Sequence, residues 1–291
     1  GERIGLKPNI LMGSAPELAI TTHPVLVGAV ALAVKEAGGV PIVVESPGTG
    51  VAHARLPIER AFRKAGYAEA AERYGFELSL DTDWEMVSNP DAVLVKRLEV
   101  IGAIRRVDGV INLPKFKTHM FMTFSGATKN LFGVIPGLNK AAYHARLDDR
   151  RRFADMLLDV AYFVKPRLNI IDGILAMEGD GPGTGGKPRP LGLLVAGPDP
   201  VTVDVACCRI AGIGTGAVPV LTAARDRGLW SGWESDVDTL GVPVETLRVN
   251  DFVKPGNYKG MGVGPGKIDL VLRPLLRRFN RMPRPKAGRC T

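Results

Sequence analysis

The strongest constraint on the fold is a unit near the start of the chain: an apolar run at 3–6, a helix-patterned stretch at 25–37, the Gly38-Gly39 pair, and the β-branched run VPIVVES. Apolar residues recurring every three to four positions suit one helix face, and a β-branched run of strand length suits a buried strand. Thr22 is placed to cap the helix and Pro24 to occupy its first turn. Helix, glycine stop and buried strand make the rhythm of α/β architecture. The same reading gives further strands at 76–83, 94–100, 110–113, 168–174, 191–197 and 247–253, with helices at 56–74, 147–164 and 218–227. The expected fold is α/β, with mixed or parallel sheets and flanking helices, as one large domain or two lobes around a central cleft. Residues 1–265 are expected to form it, and 266–291 a basic linker or tail.

Composition narrows the function classes. With 45% hydrophobic and 23% charged residues, 35 Gly and 22 Pro in 291, the chain has the profile of a globular protein with many turns. No run of about 18 apolar residues offers a membrane span, and the first residues lack a signal-peptide pattern, so a cytoplasmic location is expected. A strand opening at Arg3 points to a native segment before residue 1. Cys207, Cys208 and Cys290 cannot build a disulfide framework, and the adjacent pair is expected as small core residues. The net charge of +8 is uneven: Arg273, Arg277, Arg278, Arg281, Arg284, Lys286 and Arg289 crowd the last 19 residues, which hold no Asp or Glu. No zinc-finger spacing, aromatic RNA-binding signature or repeat accompanies them, which argues against nucleic acid and for a solvated linker or an acidic docking partner.

The chemistry is concentrated in 110–144, VINLPKFKTHMFMTFSGATKNLFGVIPGLNKAAYH. It holds Lys115, Lys117, Thr118, His119, Ser125, Thr128, Lys129, Asn130, Lys140 and His144 without one carboxylate. Cations gathered without counter-charges favour an anion, so a ligand bearing phosphate or carboxylate is expected here. Lys115 and Lys117 lie two apart and on an extended chain would form a two-pronged clamp. Residues 125–133 read as a polar helix start stopped by Gly133, with Lys129 near its N-terminal amides. Lys140 and His144, four apart, would share a helix face, and neighbouring positive charge would keep His144 in its proton-accepting form, as base or metal ligand. Lys7 and Asn9 close the first strand, at the end where α/β proteins gather ligands, and His23 would stand at a helix N-terminus.

Three carboxylates are candidates to balance these cations. Asp172 ends the strand at 168–174, and Glu178 and Asp180 enter the glycine-dense EGDGPGTGG. They could offset the lysines, hold a divalent cation such as Mg²⁺ beside a bound phosphate, or serve as acid and base. Residues 46–50 let a ligand approach closely, but Val51 and Ala52 stand where a P-loop needs lysine and hydroxyl. GIGTG at 212–216 follows a helix instead of a strand, so the context of a dinucleotide fingerprint is missing. Asp204 is placed to orient a lysine or cap a first turn.

LKPN at 6–9, TTHP at 21–24, NLPKFKTH at 112–119, GATKNLFGVIPG at 126–137, IDGILAMEGDGP at 171–182 and PDPVTVD at 198–204 together resemble the domain-of-unknown-function 362 family, in that family's order and over nearly the whole chain. The resemblance implies little about reaction type. It does imply a following ferredoxin module with [4Fe–4S] clusters in many relatives. RPKAGRCT at 284–291 resembles the entry to that module, with Cys290 in the place of its first cluster ligand. A lone cysteine cannot hold a cluster, so either the chain is cut before the module or this member has lost it, and the abrupt ends of the sequence favour the cut. A fainter similarity to the nickel-pincer lactate racemases implies only an α/β fold with a cleft between lobes.

The expected function is binding of an anionic small molecule or cofactor in a Lys/His-rich cleft, with Lys117, His119 and His144 as catalytic groups. The domain would serve an iron–sulfur-linked oxidoreductase that takes electrons from a ferredoxin-like module or protein. Two alternatives stand beside it: a redox-neutral, metal-assisted transferase or isomerase, and a non-catalytic domain that docks an iron–sulfur protein.

Overall fold

The initial unit forms as β1 (Arg3–Pro8), α1 (Pro24–Glu36) and β2 (Val40–Val43), with β1 and β2 parallel from Arg3 opposite Val40 to Leu6 opposite Val43. Ile42 and Val44 enter one hydrophobic core while Val43 enters the other. A strand covered on both faces has no polar side, which is why its sequence is apolar throughout. The computed structural model describes residues 1–48 and 50–259, so the tail at 266–291 and Cys290 lie outside the described residues.

Helix α1 is capped by His23, whose Nδ1 accepts from Val25 N at 3.2 Å, and not by Thr22. The Thr22 hydroxyl is already engaged, donating to Leu113 O at 2.6 Å and accepting from Asn9 N at 3.0 Å. The pattern at 56–74 forms two helices, α2 (Arg55–Lys64) and α3 (Tyr67–Tyr74), because Gly66 takes a left-handed backbone with φ 77°. Strand β3 (Glu77–Leu78) then extends the sheet beside β2, and β4 (Trp84–Ser88) with β5 (Arg97–Ile101) makes a separate antiparallel ribbon.

After the short α4 (Gly102–Arg105), β6 (Gly109–Leu113) pairs parallel with β1 on the side away from β2. β1 is thus flanked by strands reached in opposite directions, and the carboxyl ends at such a switch point open a crevice. Pro114 interrupts the chain, which resumes as β7 (Lys115–His119) and turns back antiparallel as β8 (Thr123–Ser125). Next come α5 (Ala127–Asn130), a 3-10 turn Leu131–Val134, α6 (Asn139–Arg146) and α7 (Arg150–Val164). The long strands β9 (Leu168–Gly179) and β10 (Gly186–Gly197) form an antiparallel hairpin, and β6 and β7 pair parallel with successive parts of β9.

Helices α8 (Pro200–Ile210) and α9 (Pro219–Asp226) pack with α7 in the larger core, and α1 to α3 build the smaller one. Cys207 and Cys208 are buried there on α8. The strand expected at 247–253 does not form. Val244–Leu247 is a 3-10 turn, Val249 N donates to Ile210 O, and among the described residues no strand lies alongside to pair with it. No helix among them is long and apolar enough to cross a membrane.

Candidate anion-binding site

A cavity of about 450 Å³ opens where the carboxyl ends of β1 and β2 meet β7, β8, α5 and α6. Its walls include Lys7, Asn9, Glu45, Lys117, His119, Lys129, Asn130, Lys140 and His144. Eight of those nine were candidates from sequence, drawn from two separated stretches, 7–9 and 110–144. Glu45 was not, because an acidic residue at the end of a buried strand resembles any surface exit. Four lysines and a single carboxylate line the space among the described residues.

The lysines differ in how their protons are used. Lys7 Nζ donates to Glu45 Oε2 at 2.6 Å and to Pro8 O at 2.8 Å. Burial pulls its pKa down and that of Glu45 up, while their contact opposes both shifts by favouring the ionised pair. Gly133 sits against this pair, and the space a Cβ would fill there is taken by Lys7 Nζ and Glu45 Oε1; that crowding, and not a helix stop, requires glycine. Lys140 Nζ donates to Ser46 O, Pro47 O and Ile135 O at 2.9, 2.9 and 2.5 Å. Burial lowers its pKa to about 7, yet three carbonyls consume three N–H donors, which only the ammonium supplies. It ties the loop after β2 to α6, and its charge reaches the cavity without a free donor.

Lys117 Nζ donates to Asn9 Oδ1 at 2.7 Å and to Ile20 O at 3.1 Å and meets no carboxylate. Burial, then the charges of Lys129 and Lys115, pull its pKa well below the usual amine range. Lys129, half-buried on α5, has no hydrogen bond or ion pair with any described residue, and burial lowers it to about 8. Asp204 positions it from below: its carboxylate, on α8, accepts from Ala127 N at 2.6 Å and Thr128 N at 3.0 Å. Burial raises that carboxyl to about 7. Asp204 thus caps a helix other than its own.

His119 Nδ1 accepts from Phe121 N at 3.0 Å and Met122 N at 3.3 Å. Burial and the Lys129 and Lys117 charges pull its pKa well down, so the ring is neutral. A neutral imidazole whose Nδ1 accepts carries its proton on Nε2. His119 is therefore a fixed N–H donor, and the proton-accepting role expected for it has no free lone pair. His144 stacks on Phe153 with ring centroids 4.4 Å apart, and its pKa falls to about 4 through burial first and Lys129 second. It keeps its accepting form, although burial contributes more than the like charge invoked from sequence.

Beneath the cavity runs a ladder of amides that sequence reading missed. Asn9 Nδ2 donates to Asn130 Oδ1 at 3.0 Å, Asn130 Nδ2 to Asn112 Oδ1 at 2.7 Å, and Asn112 Nδ2 to Asn169 Oδ1 at 2.8 Å. Asn169 closes it on Gly197 O and Pro198 O, both at 3.1 Å. The available signal was an asparagine inside each apolar strand, VINL and LNII, where only a hydrogen-bonded amide can be buried cheaply.

Several expected site residues stand elsewhere. Lys115 does not line the cavity; its Nζ pairs with Asp172 Oδ2 at 2.8 Å, both side chains being fully buried. Asp172 accepts from that lysine, from His23 N at 2.8 Å and from Ile174 N at 3.3 Å, and does not line the cavity. Glu178 accepts from Val253 N at 2.9 Å and Asp180 from Gly256 N at 2.7 Å, contacts that anchor the hairpin, and neither residue lines the cavity. From that hairpin Pro182 and Gly183 reach the cavity instead. The Thr118 hydroxyl is buried outside the lining and without a partner among the described residues. No group of three or more His, Cys, Asp and Glu side chains suited to a metal ion occurs among them.

The family described as Domain of unknown function (DUF362) matches residues 4–209. The thylakoid-associated protein sll1697 of Synechocystis sp. (strain ATCC 27184 / PCC 6803 / Kazusa) is 35% identical over 230 residues, covering 79% of this chain and 69% of that protein. Among solved structures, the lactate racemase apoprotein of Thermoanaerobacterium thermosaccharolyticum is similar with a TM-score of 0.45 and 14% identity over 73% of this chain. The chain spans 50% of that enzyme's length.

Proposed function

The chain belongs to the domain-of-unknown-function 362 family, and we propose that its cavity binds a compact anionic small molecule or cofactor as the substrate-holding domain of an enzyme. The observation that carries this is Lys129, an ammonium facing the cavity without a partner among the described residues, beside three further lysines and one carboxylate. A buried cation costs free energy unless something compensates it, and a ligand anion supplies what the protein withholds. In this reading Lys129 provides charge, the remaining Lys117 N–H and the His119 Nε2–H provide direction, and Asn9 and Asn130 hold Lys117 in place.

The finer proposal makes this domain part of an iron–sulfur-linked oxidoreductase; it is supported by the likeness of RPKAGRCT to a ferredoxin-module entry. A longer product containing further cysteines after Cys290, brown and iron-bearing when purified, would support it, and a colourless one would count against it. The cytoplasmic location is likewise a proposal, beside a relative whose name associates that protein with thylakoids. The metal-assisted alternative would have to draw on Asp172, Glu178 and Asp180, none of which lines the cavity.

Thermal denaturation with inorganic phosphate, citrate and pyruvate tests the anion site. At least one anion should raise the Tm, and Lys129→Gln should remove that rise while leaving the ligand-free Tm within a few degrees. No rise with any of them in native mass spectrometry and melting alike overturns the proposal.

A further inference from the structure

We infer that Lys129 forms a covalent iminium with the carbonyl carbon of a small 2-oxo carboxylate held in this cavity. The inference rests on the anion-binding reading above and names its substrate class.

The cavity offers four amines and the protein has committed three of them. Lys7 is paired with Glu45, Lys140 donates to three carbonyls, and Lys117 is fixed by Asn9 and Ile20. Such anchoring suits a lysine that lends charge, but a nucleophile must bring its nitrogen lone pair to a carbon. Lys129, among the described residues lining the cavity, is the amine that no hydrogen bond holds in place, so its nitrogen is free to approach a carbon. Its pKa of about 8 leaves a usable fraction of neutral amine near neutral pH, the condition met by desolvated lysines in Schiff-base chemistry.

The surroundings favour a carbonyl next to a carboxylate. Lys117, His119 and Lys129 all line the one cavity, so the three groups face a common space. Lys117 can hold the carboxylate, and the His119 Nε2–H can donate to the carbonyl oxygen as negative charge builds there. Condensation is balanced without a further reactant. The ammonium and the carbonyl give a protonated imine and water: the C–N bond forms as the carbonyl oxygen departs with two of the three ammonium protons. No electrons are exchanged, and the positive charge stays on nitrogen beside the substrate carboxylate.

The test is reductive trapping with pyruvate and sodium cyanoborohydride, read by intact mass and peptide mapping, with melting measured in parallel for pyruvate and for propionate, its carbonyl-free analogue. The expected result is one reduced pyruvate adduct on the peptide carrying Lys129, at least tenfold above any surface lysine. Lys129→Arg should lose the adduct while keeping the stabilisation by both acids. Adducts scattered over surface lysines, with none at Lys129 while both acids still raise the Tm, would overturn the covalent step and leave the anion site standing. No adduct and no stabilisation by either acid would remove both.

Discussion

Lys115 and Lys117 stand two residues apart on β7, each 1% exposed, and they do opposite work. Lys115 lies opposite Asp172 of β9, and the two charges close on each other. Lys117 lies opposite Met177, because the register slips between the two positions, and it finds only an amide and a carbonyl. The same residue type on one strand thus becomes a structural ion pair in one place and an amine without a counter-charge beside a cavity in the other. What separates them is the irregularity in β9, which moves one carboxylate under one lysine and none under its neighbour.

The comparison is broken most severely at Asp172. Asp172→Ala leaves Lys115 buried without a counter-charge and should cost about 3–5 kcal/mol in denaturant unfolding. A loss below about 1 kcal/mol would show that the pair is not what holds β7 to β9. At Lys117 the outcome should invert. Lys117→Met removes a buried amine to which the fold gives no counter-charge, along with two modest hydrogen bonds, so its stability change should stay within about 1 kcal/mol. Its anion affinity, measured by calorimetry, should fall by roughly ten- to hundredfold, the worth of one charge-assisted hydrogen bond.

The smallest and most diagnostic effect is the pH dependence set by Lys129. Its pKa in the folded protein is about 8, below the roughly 10.4 of an exposed lysine. Between those values the unfolded chain binds the extra proton, so the stability of the ligand-free protein gains from this group as pH rises from about 8 to 10. Non-covalent anion affinity runs the other way, held below pH 8 and lost as Lys129 deprotonates above it. His119, neutral through burial, should add no step near pH 6.5. A titration showing such a step, absent in His119→Gln, would contradict the donor assignment.

The carboxylates were the least legible part of the site. Asp172, Glu178 and Asp180 looked available because sequence shows a carboxylate but not the N–H groups that will fill it. Each meets a backbone amide far away in the chain: His23 N, Val253 N and Gly256 N. Asp204 was expected to orient a lysine or cap a first turn, but which helix it caps was hidden for the same reason, since that helix begins 77 residues before it. The lysines were easier, because a cluster of like charge without counter-charge is visible in one dimension.

The sequence by itself determined the α/β rhythm, the buried strands, the family, and the segment in which the cations gather. These follow from periodicity, turn residues and local composition, all of which act over a few neighbours. Only the tertiary structure decided which lysine pairs and which stays open, which histidine nitrogen is free, and why Gly133 must lack a side chain. Those outcomes depend on strand register and on contacts between residues about 40 to 150 positions apart, as in Lys7 with Glu45 and His23 with Asp172. A charge's role is fixed by the counter-charge it meets, and that meeting is settled by the fold.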